Sequence, residues 1–379
     1  MTEQPPIPVF QPHVGVDTIK AVVDALHAGW LGMGAITQAF EEGLASFLEL
    51  RDRYVLATNT GTSALHLGLL AAGVGAGDEV ITPAFNFVAD HQAIVAAGAT
   101  PVLCDVEDAT LGLDADKAEA LIGPRTRVLL PLHFGGVPGR FKELHALAER
   151  RGLRVVEDAT HAFGSRVDGR PLGSVGDITC FSFDPVKVIT SIDGGAVVVG
   201  DRALLERLRH WRFLGIDRET HERYKNSRAW EYDVVGQGFR YHMTNINAAI
   251  GLSQLARAQE FIAARRASCR LYSERLAGLP DVRCPATDFT DVAPFIYTVR
   301  VTANRREALI EHLKRRGIAT GIHFLPAQDF SFLKDCRRGD LAVTERVTRE
   351  ILTLPLHTLM APALVERVAA AIREFFEGR

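Results

Sequence analysis

The chain has 379 residues, of which 47% are hydrophobic and 23% are charged, so it can bury a large core and is neither a fibre nor a disordered tail. Its 43 Lys and Arg residues nearly balance 46 Asp and Glu residues, for a formal net charge of -3. The sequence has no long run of like-charged residues that could bind a phosphate backbone or a membrane surface. We therefore expect neither nucleic acid nor a membrane as a partner.

The five cysteines are odd in number and scattered, without a CxxC pair, and no histidine spacing of the HExxH kind occurs. Both observations argue against a metal site. Residues 1–6 lack the basic and apolar regions of a signal peptide, and no stretch approaches the roughly 18 unbroken apolar residues of a membrane span. These features predict a cytoplasmic protein with reduced thiols.

In chain order, two amphipathic helices are predicted first, over 16–28 and 36–48, with a turn between them. Apolar runs rich in β-branched residues then alternate with segments of helical period. The runs are 54–58, 79–84, 101–106, 127–133 and 154–158, and the helical segments are 63–72, 87–97, 115–121 and 141–151. This alternation predicts an α/β fold with a mostly parallel sheet covered by helices on both faces. Two further strands, 178–183 and 196–199, lack a crossover helix, so we expect a mixed sheet there.

An uninterrupted helix is predicted over 245–279, long enough to join two bodies. Strands and helices then alternate again, with a strand at 296–301, a helix at 305–316, a strand at 320–323 and a last helix at 364–376. We predict a large domain with its N-terminal segment over 1–250. The connecting helix and a small C-terminal α+β domain are predicted over 251–379.

Two segments place polar groups where strands end. At 58–66 a strand ends in small hydroxyl residues and a helix begins at once, which is typical of an anion site. Taken alone, the segment is explained more simply by ordinary N-capping by Thr60 or Thr62. Asp158 ends a buried strand, at the edge where parallel sheets bind ligands. Alone, this carboxylate is also explained as a helix cap or a solvated loop residue.

A third segment brings Lys187 out of an apolar strand into a tight turn, shortly before Gly194 and Gly195. Desolvation there would lower the pKa of the amine toward a nucleophilic range, whereas most lysines are simply solvated. An anion cradle, an aspartate at one strand end and a lysine at another together match the needs of pyridoxal phosphate.

Several motifs resemble those of one family. They are GWL at 29–31, TGTSALH at 60–66, GDEVITPAFNFVA at 77–89, EDATHAFG at 157–164, FSFDPVK at 181–187 and LPLH at 354–357. Over nearly its whole length the chain resembles the DegT/DnrJ/EryC1/StrS aminotransferases. The resemblance implies a fold type I pyridoxal phosphate enzyme, with a large domain and a smaller one. It also implies a homodimer whose active sites take residues from both chains.

The resemblance assigns roles at the cofactor. Lys187 resembles the lysine that forms the Schiff base and later moves a proton at the substrate carbon. Asp158 resembles the carboxylate that keeps the pyridine nitrogen protonated. Thr62, Ser63 and Ser182 resemble the residues that hold the phosphate.

Other positions are implied to lie at the ring or the substrate. Phe87 resembles the aromatic residue that stacks on the ring, with core packing as the alternative. His161 stands where the family usually has Gln near the ring oxygen, and an imidazole there can donate a hydrogen bond but has a pH-dependent charge. His323 and Phe324 fall in a family segment near the sugar pocket, which implies a substrate role.

The segment 238–247 departs from the family pattern. Arg240 replaces an Asn that reaches a cofactor phosphate across the dimer interface, and His242 replaces an Arg. Arg240 can still grip that phosphate, capture a carboxylate or phosphate of the acceptor, or form a structural ion pair. An acidic keto sugar without a nucleotide therefore remains an alternative acceptor.

The resemblance implies an aminotransferase that moves an amino group from an amino acid to a keto sugar. Glutamate is the expected amino donor. The usual acceptors are nucleotide-linked, and the family serves amino-sugar biosynthesis for lipopolysaccharide, other surface glycans and antibiotics. Two other readings stay open. The first is a sugar dehydratase, but relatives with that activity carry His at the position of Lys187. The second is a cofactor sensor fused to a DNA-binding module, which would need a basic helix-turn-helix that residues before Val55 lack.

Overall fold

The computed structural model describes residues 5–217 and 231–378. At its centre lies a seven-stranded sheet, and a short hairpin lies beside it. The strands of the sheet are β1 (Tyr54–Thr58), β2 (Glu79–Pro83), β3 (Thr100–Cys104), β4 (Thr126–Leu129), β5 (Arg154–Asp158), β8 (Ile178–Ser182) and β9 (Gly195–Val199), and the hairpin is β6 (Arg166–Val167) and β7 (Arg170–Pro171).

The strand order is β1-β9-β8-β5-β4-β2-β3. Strand β9 runs antiparallel to both β1 and β8, and the other pairs are parallel. Strands β2, β8 and β9 are buried at every position, as expected where helices cover both faces of a sheet. The predicted α/β fold, with its mixed sheet at 178–199, is confirmed.

The helices of this part are α1 (Val16–His27), α2 (Ala35–Phe47), α3 (Gly61–Ala71), α4 (Val88–Ala96), α5 (Ala115–Leu121), α6 (Phe141–Arg151) and α7 (Arg202–Arg212). Helix α3 is apolar on nearly every side, because it packs against β8 and β9 and also against α4 and α7. An all-round apolar helix is stable only where neighbours cover every face. Its N-terminus is thereby fixed at the carboxyl end of β1.

The C-terminal part contains a second sheet, antiparallel, in the order β10-β11-β12. Its elements are α8 (Asn245–Leu255), α9 (Ala258–Leu276), β10 (Val282–Arg283), β11 (Tyr297–Val301), α10 (Arg306–Arg315), α11 (Ala342–Glu350), β12 (Ile351–Leu354) and α12 (Pro362–Glu377). Helices α9 and α12 pack on each other, and their buried apolar residues share one core with β11 and β12.

The uninterrupted helix predicted over 245–279 is wrong. Helix α8 ends at Leu255 and α9 begins at Ala258, with Arg257 between them at φ -111° and ψ 6°. The chain changes direction there because α8 packs against α1 and α2, whereas α9 packs against α12. A straight helix could not serve both sets of partners.

The strand predicted at 320–323 is also wrong. Gly321 makes an isolated bridge to Thr353, with backbone bonds of 3.0 and 2.8 Å. The pairing stops there because the chain turns toward a cavity that His323 and Phe324 line.

The division at 250/251 stays a prediction, and part of the first range, 218–230, lies outside the described residues. So do residues 1–4 of the segment read for a signal peptide. Among the described helices none is long and apolar enough to cross a membrane.

Candidate active site

A cavity of about 320 Å³ opens at the carboxyl ends of β1, β5 and β8. This is the edge at which open α/β sheets bind ligands. The structure brings eight of the ten predicted site residues into its wall: Thr62, Phe87, Asp158, His161, Ser182, Lys187, His323 and Phe324. Residues more than 250 positions apart in the chain thus meet around one space.

One wall is the start of α3, whose first amide groups have no partner within the helix. Thr60 caps the helix, and Gly61 brings its backbone against β8. A Cβ on Gly61 would lie 2.7 Å from the Cβ of Ser182, so only glycine permits this approach. The free amides, Thr62 and the Ser182 hydroxyl group form a small polar cup suited to an anion.

Ser63 does not line this cup. Its hydroxyl group lies 2.8 Å from the Asn59 side-chain oxygen and accepts a hydrogen bond of 3.1 Å from the Thr60 amide. These contacts belong to the capping box that starts α3. A phosphate role for Ser63 therefore stays a prediction.

Lys187 lies in the loop after β8. Its Nζ lies 4.0 Å from the centre of the Phe295 ring. Loss of water around the ammonium lowers the pKa of Lys187 to about 8, and the charges of Asp158 and Asp184 offset this only in part. A substantial fraction of such an amine is neutral, and therefore nucleophilic, near neutral pH.

Asp158 ends β5 and is buried, 3% exposed. Its Oδ1 accepts a hydrogen bond of 2.8 Å from the Thr160 amide. It lines the same cavity as Lys187, and its charge acts on the Lys187 ammonium. The carboxylate and the amine predicted to serve one cofactor ring therefore share one space.

Two imidazoles stand beside the amine. His161 is buried, and its Nδ1 accepts a hydrogen bond of 3.4 Å from the Gly135 amide, which leaves the proton on Nε2. Burial, and next the charge of Lys187, hold the pKa of His161 well below its usual value. The same causes lower the pKa of His323 to about 4, and its Nδ1 lies 2.8 Å from Thr353 Oγ1. Both rings are neutral at physiological pH.

Aromatic rings form the remaining wall. Phe87 is 55% exposed, unusual for a phenylalanine, and its ring centre lies 5.8 Å from that of Phe324. Phe10 and Phe295 stack at 5.5 Å on the other side. An exposed ring at a cavity mouth offers a flat apolar surface to a ligand, which favours the stacking role for Phe87 over core packing.

The residues of the cavity wall that were not predicted from the sequence include Phe10, Asn86, Asp90 and Phe295. Phe10 and Phe295 come from distant segments and carry no sequence signal. Asp90 did carry one, because it is an acidic residue within the mostly apolar segment VADHQAIVA.

Arg240 does not line the cavity of its own chain. It is exposed, and its backbone forms an isolated bridge with Phe213. His242 lies beside it, with its ring centre 4.9 Å from that of Phe213. The predicted contact of Arg240 across a dimer interface is not tested by a single chain.

The residues present fit pyridoxal phosphate. The cavity combines a buried amine, a carboxylate, a cup of helix amides and hydroxyl groups, and an exposed aromatic face. The amine suits the carbonyl carbon of that cofactor, and the carboxylate suits its ring nitrogen. The cup suits its phosphate, and the aromatic face suits its ring.

Comparisons with known proteins agree with this geometry. The sequence model of the DegT/DnrJ/EryC1/StrS aminotransferase family matches residues 12–373. Aminotransferase TlmJ from Streptoalloteichus hindustanus is 35% identical, with a TM-score of 0.90 over 98% of this chain and 99% of its own. DesV from S. venezuelae is 33% identical, with a TM-score of 0.91 over 99% of both chains. DesI, solved in the presence of its TDP-sugar product, is 31% identical, with a TM-score of 0.88 over 99% of this chain and 94% of its own.

Proposed function

Because the chain belongs to the DegT/DnrJ/EryC1/StrS aminotransferase family, we propose that it moves an amino group from glutamate to the ketone of a nucleotide-linked sugar, with pyridoxal phosphate as cofactor. The observation that carries this proposal is that Lys187, whose Nζ lies against the Phe295 ring, shares one cavity with Asp158 and the polar cup at the start of α3. The proposed setting is amino-sugar biosynthesis in the cytoplasm, and the five free cysteines agree with a reducing compartment.

When bound, pyridoxal phosphate supplies a carbonyl carbon that condenses with amines and a ring that accepts the electrons of a carbanion. Lys187 supplies the amine that binds the cofactor covalently. Once released by the donor, the same amine accepts the proton from the donor's α carbon, and it later returns a proton to the sugar carbon. A pKa of about 8 suits both directions, because the amine gains and loses a proton easily near neutral pH.

Asp158 has the complementary task. Its carboxylate would accept a hydrogen bond from the ring nitrogen and stabilise a positive charge there. His161 carries its proton on Nε2 and is neutral, so it can donate a hydrogen bond to the ring oxygen without adding a charge. Thr62, Ser182 and the first amides of α3 bind the phosphate.

The acceptor is inferred from the charge of the cavity. Its described wall contains four aspartates and one cation, Lys187, and no arginine. Negatively charged aspartates in this wall would repel a sugar carboxylate, so a neutral keto sugar suits this wall better. DesI, solved with its TDP-sugar product, supports a nucleotide-linked acceptor.

A homodimer with shared active sites is part of the proposal. Val234 and Val235, close to Arg240 in the chain, are 56% and 54% exposed, and exposed valines beside an arginine are typical of a surface covered by a partner. In such a dimer Arg240 would serve the partner's site, binding a phosphate of the cofactor or of the nucleotide.

A half-reaction tests the proposed function. Glutamate added to the cofactor-loaded protein should bleach the yellow absorbance and release one 2-oxoglutarate per site. Lys187→Arg should abolish this, whereas Lys314→Arg, which removes an exposed amine, should not. The aminated form should then transfer its amino group to a member of a panel of nucleotide-linked, free and acidic keto sugars. No half-reaction with any common amino acid would contradict the proposal.

A further inference from the structure

The cavity contains a second acidic group behind Asp158. Asp90, in the first turn of α4, is 1% exposed and lines the cavity. Its carboxyl group lies within hydrogen-bonding reach of the Asp158 carboxyl group. Two buried carboxyl groups in contact must share at least one proton, because two negative charges there would repel each other without water to screen them.

Hydrogen bonds indicate which role each group takes. The Asn86 side-chain oxygen accepts from the Phe87 amide at 2.6 Å, which turns the Asn86 amino group toward Asp90. That amino group donates to Asp90 Oδ2 at 2.6 Å. On the other side, Asp158 Oδ1 accepts from the Thr160 amide.

The surroundings of Asp90 favour its neutral form. Burial, and next the charge of Asp158, raise the pKa of Asp90 well above its usual value, and the Asn86 bond offsets this only in part. A second titratable group close enough to interact with Asp90, Cys180 of β8, is a neutral thiol whose pKa burial also raises. Neither Asp158 nor Cys180 is a cation that could stabilise a charge on Asp90.

We propose that Asp90 is a positioning residue that carries a proton and donates it in a hydrogen bond to Asp158, so that a neutral acid holds the ring-facing carboxylate in place. Asp158 then accepts two hydrogen bonds within the protein, from Thr160 and Asp90. These two bonds hold its carboxylate toward the ring nitrogen. The chain of contacts from Phe87 through Asn86 and Asp90 to Asp158 links the ring-stacking residue to the ring-nitrogen partner. The inference rests on the proposed function only for the identity of the ligand that Asp158 faces.

Two variants separate a neutral donor from a charged group. Asp90→Asn keeps an acceptor for Asn86 and a donor for Asp158 but cannot ionise, and it should hold pyridoxal phosphate and react with glutamate within about threefold of the unaltered protein. Asp90→Ala removes the donor, and it should weaken cofactor binding about tenfold, the usual effect of losing one hydrogen bond to a charged group. It should also lower kcat of the glutamate half-reaction more than it changes KM.

The cofactor-free protein gives an independent readout. The folded-state pKa of Asp90 is raised above the unfolded value of about 3.9. The stability associated with its proton is therefore complete below about pH 4 and is lost as the pH rises toward the folded pKa. Asp90→Asn cannot lose this stability. Its melting temperature should therefore rise relative to that of the unaltered protein by about 1.7 °C per pH unit above pH 5, until the pH reaches the folded-state pKa of Asp90.

The outcomes are distinct. A melting-temperature difference that stays flat with pH, or Asp90→Asn as impaired as Asp90→Ala, would show that Asp90 acts as a charged carboxylate. Asp90→Ala with unaltered cofactor binding would show that it positions nothing. Failure of the unaltered protein to react with any amino donor would overturn the proposed function instead, while the melting curves would still test the proton on Asp90.

Discussion

The ionisation of Lys187 offers a quantitative prediction. Burial lowers its pKa from the ordinary value of 10.5 to about 8, against the opposing charges of Asp158 and Asp184. Asp184→Asn removes one of those charges and still offers an oxygen to the Val186 amide, which now donates to Asp184 Oδ1 at 3.1 Å. We expect this variant to lower the pKa of Lys187 further, because less negative charge remains to stabilise the ammonium.

The magnitude follows from the neutral fraction. At pH 7 an amine with a pKa of 8 is neutral in about 9% of molecules, against about 0.03% at a pKa of 10.5, a ratio of about 300. Reductive methylation of the cofactor-free protein between pH 6 and 10, followed by peptide mapping, would measure this fraction at Lys187. The exposed Lys314 serves as an internal control for the methylation reaction.

A methylation profile of Lys187 with a midpoint near 10.5 would refute the argument from burial. A midpoint that rises in Asp184→Asn would refute the assigned sign of the charge effect. In the first case the amine could not be the easily deprotonated group that the proposed reaction requires.

Three further predictions concern neighbouring contacts. Equal mixtures of Lys187→Ala and Arg240→Ala proteins, dissociated and reassociated, should regain about 25% of full activity, because half of the dimers are mixed and each has one intact site. Arg265→Met should lower the free energy of unfolding by about 2 to 4 kcal/mol in urea titrations, because the buried guanidinium donates to three carbonyl oxygens, including that of Lys187. Gly61→Ala should weaken pyridoxal phosphate binding about tenfold in equilibrium titrations, because its Cβ collides with Ser182.

Each of these has a control. Mixed dimers without activity would mean that Arg240 acts within its own chain. Arg266→Met should cost less than about 1 kcal/mol, since that half-buried side chain donates to the Val292 carbonyl alone among the bonds described, and an equal loss in both variants would contradict the role of Arg265. Gly75→Ala, where a Cβ meets nothing within 4 Å, should leave cofactor binding unchanged.

The sequence predicted the sheet and most of the cavity for a physical reason. Parallel strands place their carboxyl ends at one edge, so Asp158 and Ser182, at the ends of two apolar runs, had to lie together. Lys187 follows the second run by a few residues and was confined to the same neighbourhood. The apolar runs in the sequence and the parallel arrangement of the strands therefore predict the same position for these residues.

The rest depended on contacts that no local pattern encodes. The break at Arg257 arises because two successive helices pack on different partners. Phe295 reaches the cavity from the C-terminal part, and Ser63 turns its hydroxyl group into its own capping box instead. The role of Asp90 depends on its approach to Asp158, which no local pattern predicts. Such features follow from tertiary packing and not from periodicity.

The central claim is that Lys187 and Asp158 serve the same cofactor ring. Borohydride reduction of the cofactor-loaded protein, followed by peptide mass mapping, tests it most directly. The account predicts one pyridoxyl adduct per chain, on Lys187, and for Asp158→Ala the same adduct in a protein that loses the glutamate half-reaction. An adduct on any other lysine, or a fully active Asp158→Ala variant, would contradict the account.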